Sequence, residues 1–140
     1  MLPLLAAAQK NAFERFYDSY SGKEGYTTVF VTGDMIKLIR KDLSGGTGGI
    51  ESVRVVTQQP PTDDFVERVK GILEAENYKL MSSVSSGPKQ ISVYMRETSS
   101  GKGRRSDCIT LISGGKDNVV MNIVGDFDIT KLSDLGIKTE

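Results

Sequence analysis

The sequence predicts an α+β domain, a mostly antiparallel sheet with a C-terminal four-strand meander and helices packed on one face. Three observations predict it. Helical and strand-like segments alternate up to Tyr78, and beyond it four strand-like runs follow one another across short turn clusters. No internal repeat or second domain interrupts the 140 residues, which suffice for one core without disulfide staples. Hydrophobic residues at 38% and charged residues at 26% are those of a globular chain rather than a disordered one.

Phe13, Phe16, Tyr17 and Tyr20 recur at helical spacing and give the first helix an aromatic stripe, with Gly22 where a C-terminal glycine belongs. The β-branched and aromatic run Thr27–Val31 is a strand. Thr32-Gly33-Asp34 turns it into a second helix, whose Ile36, Ile39 and Leu43 share a face. Gly45, Gly46, Gly48 and Gly49 form a loop before the alternating strand Glu51–Val55. Pro60-Pro61 ends that strand, and Thr62 or Asp63 caps a helix that buries Phe65 or Val66 with Val69, Ile72 and Leu73 and closes near Asn77.

The meander strands are Lys79–Val84, Gln90–Glu97, Ser106–Ser113 and Asn118–Val124. Asp128 should cap a final short helix carrying Leu132 and Leu135, closed by Gly136. Period-two alternation places Ile91, Val93 and Met95 with Val119, Met121 and Ile123 on one face, expected beneath the Phe65–Asn77 helix. Ser92, Tyr94, Arg96 and Asn122 then lie on the opposite face and are the candidate interaction surface. Exposed tyrosine and arginine are common in such surfaces, and the plain alternative is a solvated or subunit-covered face.

Chemistry is constrained by what the sequence lacks. There is no histidine, which removes Ser-His and Cys-His mechanisms and the common zinc sites. Cys108 is the one cysteine, so no intrachain disulfide or thiolate cluster can form, and in its apolar run it reads as a packing residue. Gly22-Lys23, Gly101-Lys102 and Gly115-Lys116 have Tyr17, Arg96 and Thr110 where a phosphate loop needs glycine. Gly46-Thr47-Gly48 meets Glu51 where a dinucleotide fingerprint needs glycine, and no serine sits in a nucleophile elbow. Asp117, Asp126 and Asp128 do not follow a calcium-loop spacing. No catalytic residue, cofactor or metal site is therefore expected.

Lys and Arg total 18 and balance 18 Asp and Glu, giving no field to gather nucleic acid. Lys102, Arg104 and Arg105 at a hairpin tip are read as a solvated turn. No run approaches the roughly 18 apolar residues of a membrane span.

The opening Leu2-Pro3-Leu4-Leu5-Ala6-Ala7-Ala8-Gln9 resembles the end of a secretory signal, an apolar tail closing on Ala-x-Ala but without a basic leader. The other reading puts Pro3 in the first turn of a helix running through Tyr20. On the first reading, residues 1–9 are a signal remnant and residues 10–140 the single domain.

Three segments also carry a family resemblance. Phe16–Val31 with the Met35-Ile36 helix, Glu76–Met81, and Ile123–Ile129 with Leu132 resemble the opening, centre and close of domain-of-unknown-function family 4252. That resemblance implies a small exported protein of the Bacteroidetes type, often encoded near extracytoplasmic-function sigma factors, with no established activity or functional residues. No cysteine near the start could carry a lipid.

The expected function is a non-catalytic interaction module of the cell envelope, periplasmic or outer-membrane associated, with a protein partner and a link to surface or stress signalling. The alternative is a carboxylate-dependent enzyme using Asp34, Asp126 or Asp128 on an envelope substrate.

Overall fold

The computed structural model describes residues 11–39, 49–100 and 103–126. Helix α1 spans Ala12–Tyr20, followed by β1 (Tyr26–Thr32), α2 (Gly33–Ile39), β2 (Ile50–Gln58) and α3 (Asp63–Ala75). The meander follows as β3 (Lys79–Ser86), β4 (Lys89–Ser100), β5 (Gly103–Ser113) and β6 (Asn118–Gly125). All six strands form one antiparallel sheet in the order β1-β2-β6-β5-β4-β3. The antiparallel α+β arrangement and the meander are as expected from sequence. The expected Asp128 helix, the residue 1–9 signal and most of the glycine loop lie outside the described residues.

Asn11 fixes where α1 begins. Its side chain accepts from the Glu14 N–H at 2.8 Å, and its own N–H donates to the Glu14 carboxylate at 3.0 Å, a reciprocal capping box. Asn11 is extended, with ψ at 172°, so α1 does not continue back through it.

The register assigns every strand residue to a face. Tyr94, Ile109, Asn122, Arg54 and Phe30 lie opposite one another across β4, β5, β6, β2 and β1. Val93, Thr110, Met121, Val55 and Val29 form the neighbouring row, on the other face.

The main core lies between the Tyr94 face and the two longer helices. Val56, Ile109, Leu111 and Val120 pack there against Phe13, Phe16 and Tyr20 of α1 and Phe65, Val69 and Leu73 of α3. Phe16, Tyr20, Tyr26 and Phe65 stack at ring-centroid distances of 4.3 to 6.0 Å. A smaller cluster of Ile50, Val93, Cys108 and Ile123 occupies the other face, where Ile36 of the short α2 joins it. Both faces of the sheet are thus apolar at their centres.

Polar latches hold α3 to its face at both ends. At the N-terminus, the Thr62 hydroxyl caps the helix through the Phe65 N–H, at 3.3 Å. Gln58 donates to the Thr62 and Tyr26 hydroxyls and accepts from the Thr62 N–H and Asn118, all at 2.9 to 3.0 Å. At the C-terminus, Glu76 meets Arg96 of β4. Among the described residues, no helix is long and apolar enough to cross a membrane.

Candidate interaction site

The expected interaction residues do share one face, but it is the covered one. Asn122 is 1% exposed, Tyr94 packs against the main core, and Ser92 is half-buried beside Leu111 of β5. Arg96 is drawn into an ion-pair cluster beneath the end of α3. Ile91, Val93, Met95, Val119, Met121 and Ile123 also share a face as expected, yet α3 lies on the opposite one. The two sets keep to separate faces as the alternation predicts, with the faces exchanged relative to α3.

The physical reason is visible on β5. Within β4 alone, Ile91, Val93 and Met95 outweigh Ser92, Tyr94 and Arg96 in apolarity. At the centre of β5 the larger apolar side chains, Ile109 and Leu111, share the Tyr94 face, while Cys108 and Thr110 take the other, with Ile112 nearer the strand's end. The α3 helix follows the larger β5 side chains, and the polar residues of that face are used as latches rather than offered to solvent.

Arg96 anchors the cluster at the end of α3. Its Nη1 donates to the Glu76 carboxylate at 3.0 Å and to the Glu76 carbonyl at 3.1 Å, while Nη2 reaches Asp107 at 3.3 Å. The guanidinium lies over the Tyr78 ring, 4.5 Å from its centroid. Asn122 donates from one amide nitrogen to Asp107 at 2.5 Å and to the Cys108 carbonyl at 3.2 Å. Burial, reinforced by the Asp107 charge and its hydrogen bond, pushes the Tyr78 phenol well above its ordinary range. Arg96 Nε and Asn122 Oδ1 are buried without a hydrogen bond. The cluster joins opposite charges and a neutral phenol, a constellation suited to fixing α3.

Beside this cluster an open groove of about 580 Å³ runs between α3 and the edge of the sheet. Its α3 wall is made by Glu67, Lys70, Gly71 and Glu74, and its apolar floor by Leu73, Tyr78, Leu80 and Tyr94. Leu80 belongs to β3, the last strand of the sheet, and is 56% exposed. Met81 beside it is also exposed. The β3–β4 register slips between Leu80 and Ser82, so a bulge sits at the mouth of the groove.

Gly71 is the least expected residue in this groove. Glycine inside a helix costs about 1 kcal/mol relative to alanine. Nothing lies within 4 Å of where its Cβ would be, so no packing contact requires it. The missing side chain leaves the α3 wall flat opposite Leu80 and Tyr94. Only Tyr94 of the expected site residues lines this groove. Leu80 and Gly71 carry no signal in the sequence that marks them as lining it.

Two of the three candidate carboxylates fall among the described residues. Asp34 stands exposed in the first turn of α2, and Asp126 is exposed after β6, its N–H donating to the Gly49 carbonyl at 2.8 Å. Asp128 and Lys102 lie outside the described residues, and Arg104 and Arg105 pair with Ser99 and Thr98 in the β4–β5 ladder. Among the described residues, no three Cys, Asp or Glu side chains come together as metal ligands.

A family model described as Domain of unknown function (DUF4252) matches residues 20–135. The chain belongs to the DUF4252 family. The match takes in the sheet, α2, α3 and the groove, and begins at the last residue of α1. No curated protein and no solved structure matches this DUF4252 chain.

Proposed function

We propose that this DUF4252 protein is a non-catalytic interaction module of the cell envelope that holds an extended segment of a partner protein in the groove between α3 and β3. The observation that carries this reading is Gly71, a helix-weakening residue with no packing role, facing the exposed Leu80 across an apolar floor. An edge strand beside a helix offers main-chain pairing on one side and a trough for alternate side chains on the other. The groove's open shape suits a chain segment better than a small enclosed ligand. Placement outside the cytoplasm draws support from the apolar Ala-x-Ala opening and from the family resemblance. A link to surface or stress signalling rests on that resemblance alone.

Screening an array of extended peptides against the purified domain tests the binding reading. Peptides with apolar residues at alternate positions should bind, and Leu80→Asp or Gly71→Leu should abolish binding while leaving the fold intact. Peptide binding unaffected by both variants would refute the groove. For export, the natural reading frame should yield a periplasmic chain whose N-terminus maps near Gln9 or Lys10. An uncleaved chain found only in the cytosol would remove that part.

A further inference from the structure

The opposite edge of the sheet, β1, has the properties of a self-pairing strand. Its sequence, Tyr26-Thr27-Thr28-Val29-Phe30-Val31-Thr32, contains no charge, proline or glycine. Edge strands are ordinarily protected by lysine, proline, bulges or a covering element. Among the described residues β1 pairs only with β2, in unbroken register, and it lies at the end of the sheet. Val29 is 42% and Phe30 49% exposed, one on each face of the same strand. Met35 and Leu38 of the adjoining α2 are exposed as well.

The hydrogen-bond phase shows which main-chain groups point outward. The Gln59 N–H donates to the Gly25 carbonyl at 2.9 Å, which makes Gly25 and Gln59 a bonded pair one step beyond the Tyr26–Gln58 pair. Alternation then assigns Thr27, Val29 and Val31 to bonding with β2 and turns the N–H and C=O of Thr28, Phe30 and Thr32 away from it. The Tyr26 N–H agrees, bonding back to Lys23 at 3.1 Å.

These three outward residues sit in a palindrome, Thr28-Val29-Phe30-Val31-Thr32. An antiparallel copy related by a two-fold axis at Phe30 places Phe30 opposite Phe30, Thr28 opposite Thr32 and Val29 opposite Val31. Each outward N–H and C=O then meets its complement. The facing pairs are aromatic with aromatic, hydroxyl with hydroxyl and branched apolar with branched apolar, all favourable across strands. No charge opposes itself anywhere along the seam. Arg54 already braces the inner side of Phe30, its guanidinium carbon 4.7 Å from the ring centroid, while pairing with Glu14 at 3.2 Å.

We infer that the occupant of this edge is a second copy of the same chain, and that two copies join β1 to β1 about Phe30 into one continuous sheet. The pairing is isologous, so it closes as a dimer rather than propagating. It leaves the α3–β3 groove of each copy open at the far edges and does not depend on what that groove binds.

Sedimentation velocity over a concentration series reads the association, and single cysteines read the register. The full chain should reach twice its monomer mass, and Phe30→Lys should remain monomeric because two like charges would then face each other on the axis. Opposed bonded residues have Cα atoms about 5.5 Å apart, within disulfide reach. Phe30→Cys should therefore form a covalent dimer on mild oxidation. Thr28→Cys, facing residue 32 of the other copy, should not, whereas Thr28→Cys combined with Thr32→Cys should. The buried Cys108 stays out of this chemistry. A monomer throughout the series, open-ended polymers, or equal cross-linking through Thr28→Cys alone would each overturn the proposal. The oxidation result stands even where Phe30→Lys fails to fold.

Discussion

Arg96 of β4 lies over the ring of Tyr78, with its guanidinium carbon 4.5 Å from the ring centroid. The same side chain bonds Glu76, just past α3, and Asp107 of β5. One cation therefore ties the exit of a helix to two strands. Burial works against its charge, but Tyr78, Glu76 and Asp107 more than offset that and hold Arg96 above its ordinary pKa.

Replacing Arg96 should accordingly cost more than an ordinary surface charge. Arg96→Met leaves Asp107 largely buried without its cation, and the expected loss is about 2 to 4 kcal/mol, discounted from a fully buried pair because Arg96 keeps some exposure. Arg96→Lys should recover only part, since an ammonium cannot stack flat on Tyr78 while reaching both carboxylates. Urea midpoints of the three chains measure this. Equal stability of Arg96→Met and the parent would mean that the cluster does not hold α3.

Cys108 gives a pH dependence with a definite sign. Burial, helped by the Asp107 charge, pushes its thiol from 9.0 up to about 11. Below pH 9 both folded and unfolded chains keep the proton, and the thiol adds no slope. Between about 9 and 11 the unfolded chain ionises first, so stability should fall with rising pH, by up to roughly 2 to 3 kcal/mol in all. Cys108→Ala should flatten that part of the alkaline limb in denaturation curves measured across pH, leaving any slope that belongs to Tyr78. At neutral pH, Cys108→Ser should cost about 1 to 3 kcal/mol through its buried hydroxyl. Rapid labelling of the native thiol at neutral pH would contradict the burial on which both expectations rest.

The β5–β6 turn offers a comparison between neighbours. Gly114 has φ at +88°, and a Cβ there would sit 1.8 Å from the Pro88 carbonyl oxygen. Gly115 has open space around it. Gly114→Ala should therefore destabilise by at least about 1 to 3 kcal/mol, and Gly115→Ala by well under about 1. Thermal unfolding of the pair separates backbone strain from a general effect of side chains in this turn.

Gly71 should show the reverse. Gly71→Ala removes a helix-weakening residue at a position with room for a methyl group, so stability should rise by about 0.5 to 1 kcal/mol. Peptide binding in the groove should weaken at the same time, the exchange expected where a site is kept at the expense of the fold. A gain in stability with unchanged binding would leave Gly71 without a functional reason.

The elements themselves were legible in the sequence because local signals agreed. Thr62 caps α3, aromatic spacing marks α1, and turn clusters separate the meander strands. The covered face was not legible from β4, whose alternation favoured Val93 over Tyr94. That decision belongs to side chains far away in the chain, Ile109, Leu111 and Val56, and to the latches of Gln58, Asn118 and Arg96, which look like solvent-facing residues until their partners are known. The groove was hidden for a related reason: Gly71 and Leu80 are unremarkable apart and meaningful only across from one another.

The position of β6 has a consequence for the order in which the molecule can assemble. The strands β3 to β6 are joined by short turns and can pair as each emerges, whereas β2 must wait for β6, which begins at Asn118, to find its inner neighbour. Until then the β1–β2 pair, with α2 between its strands in the chain, has no strand to bridge it to the meander. Closing that long loop raises contact order and should slow the final step of folding relative to formation of the meander. During synthesis, β1 and β2, made early, are therefore the last strands to become integrated into the sheet.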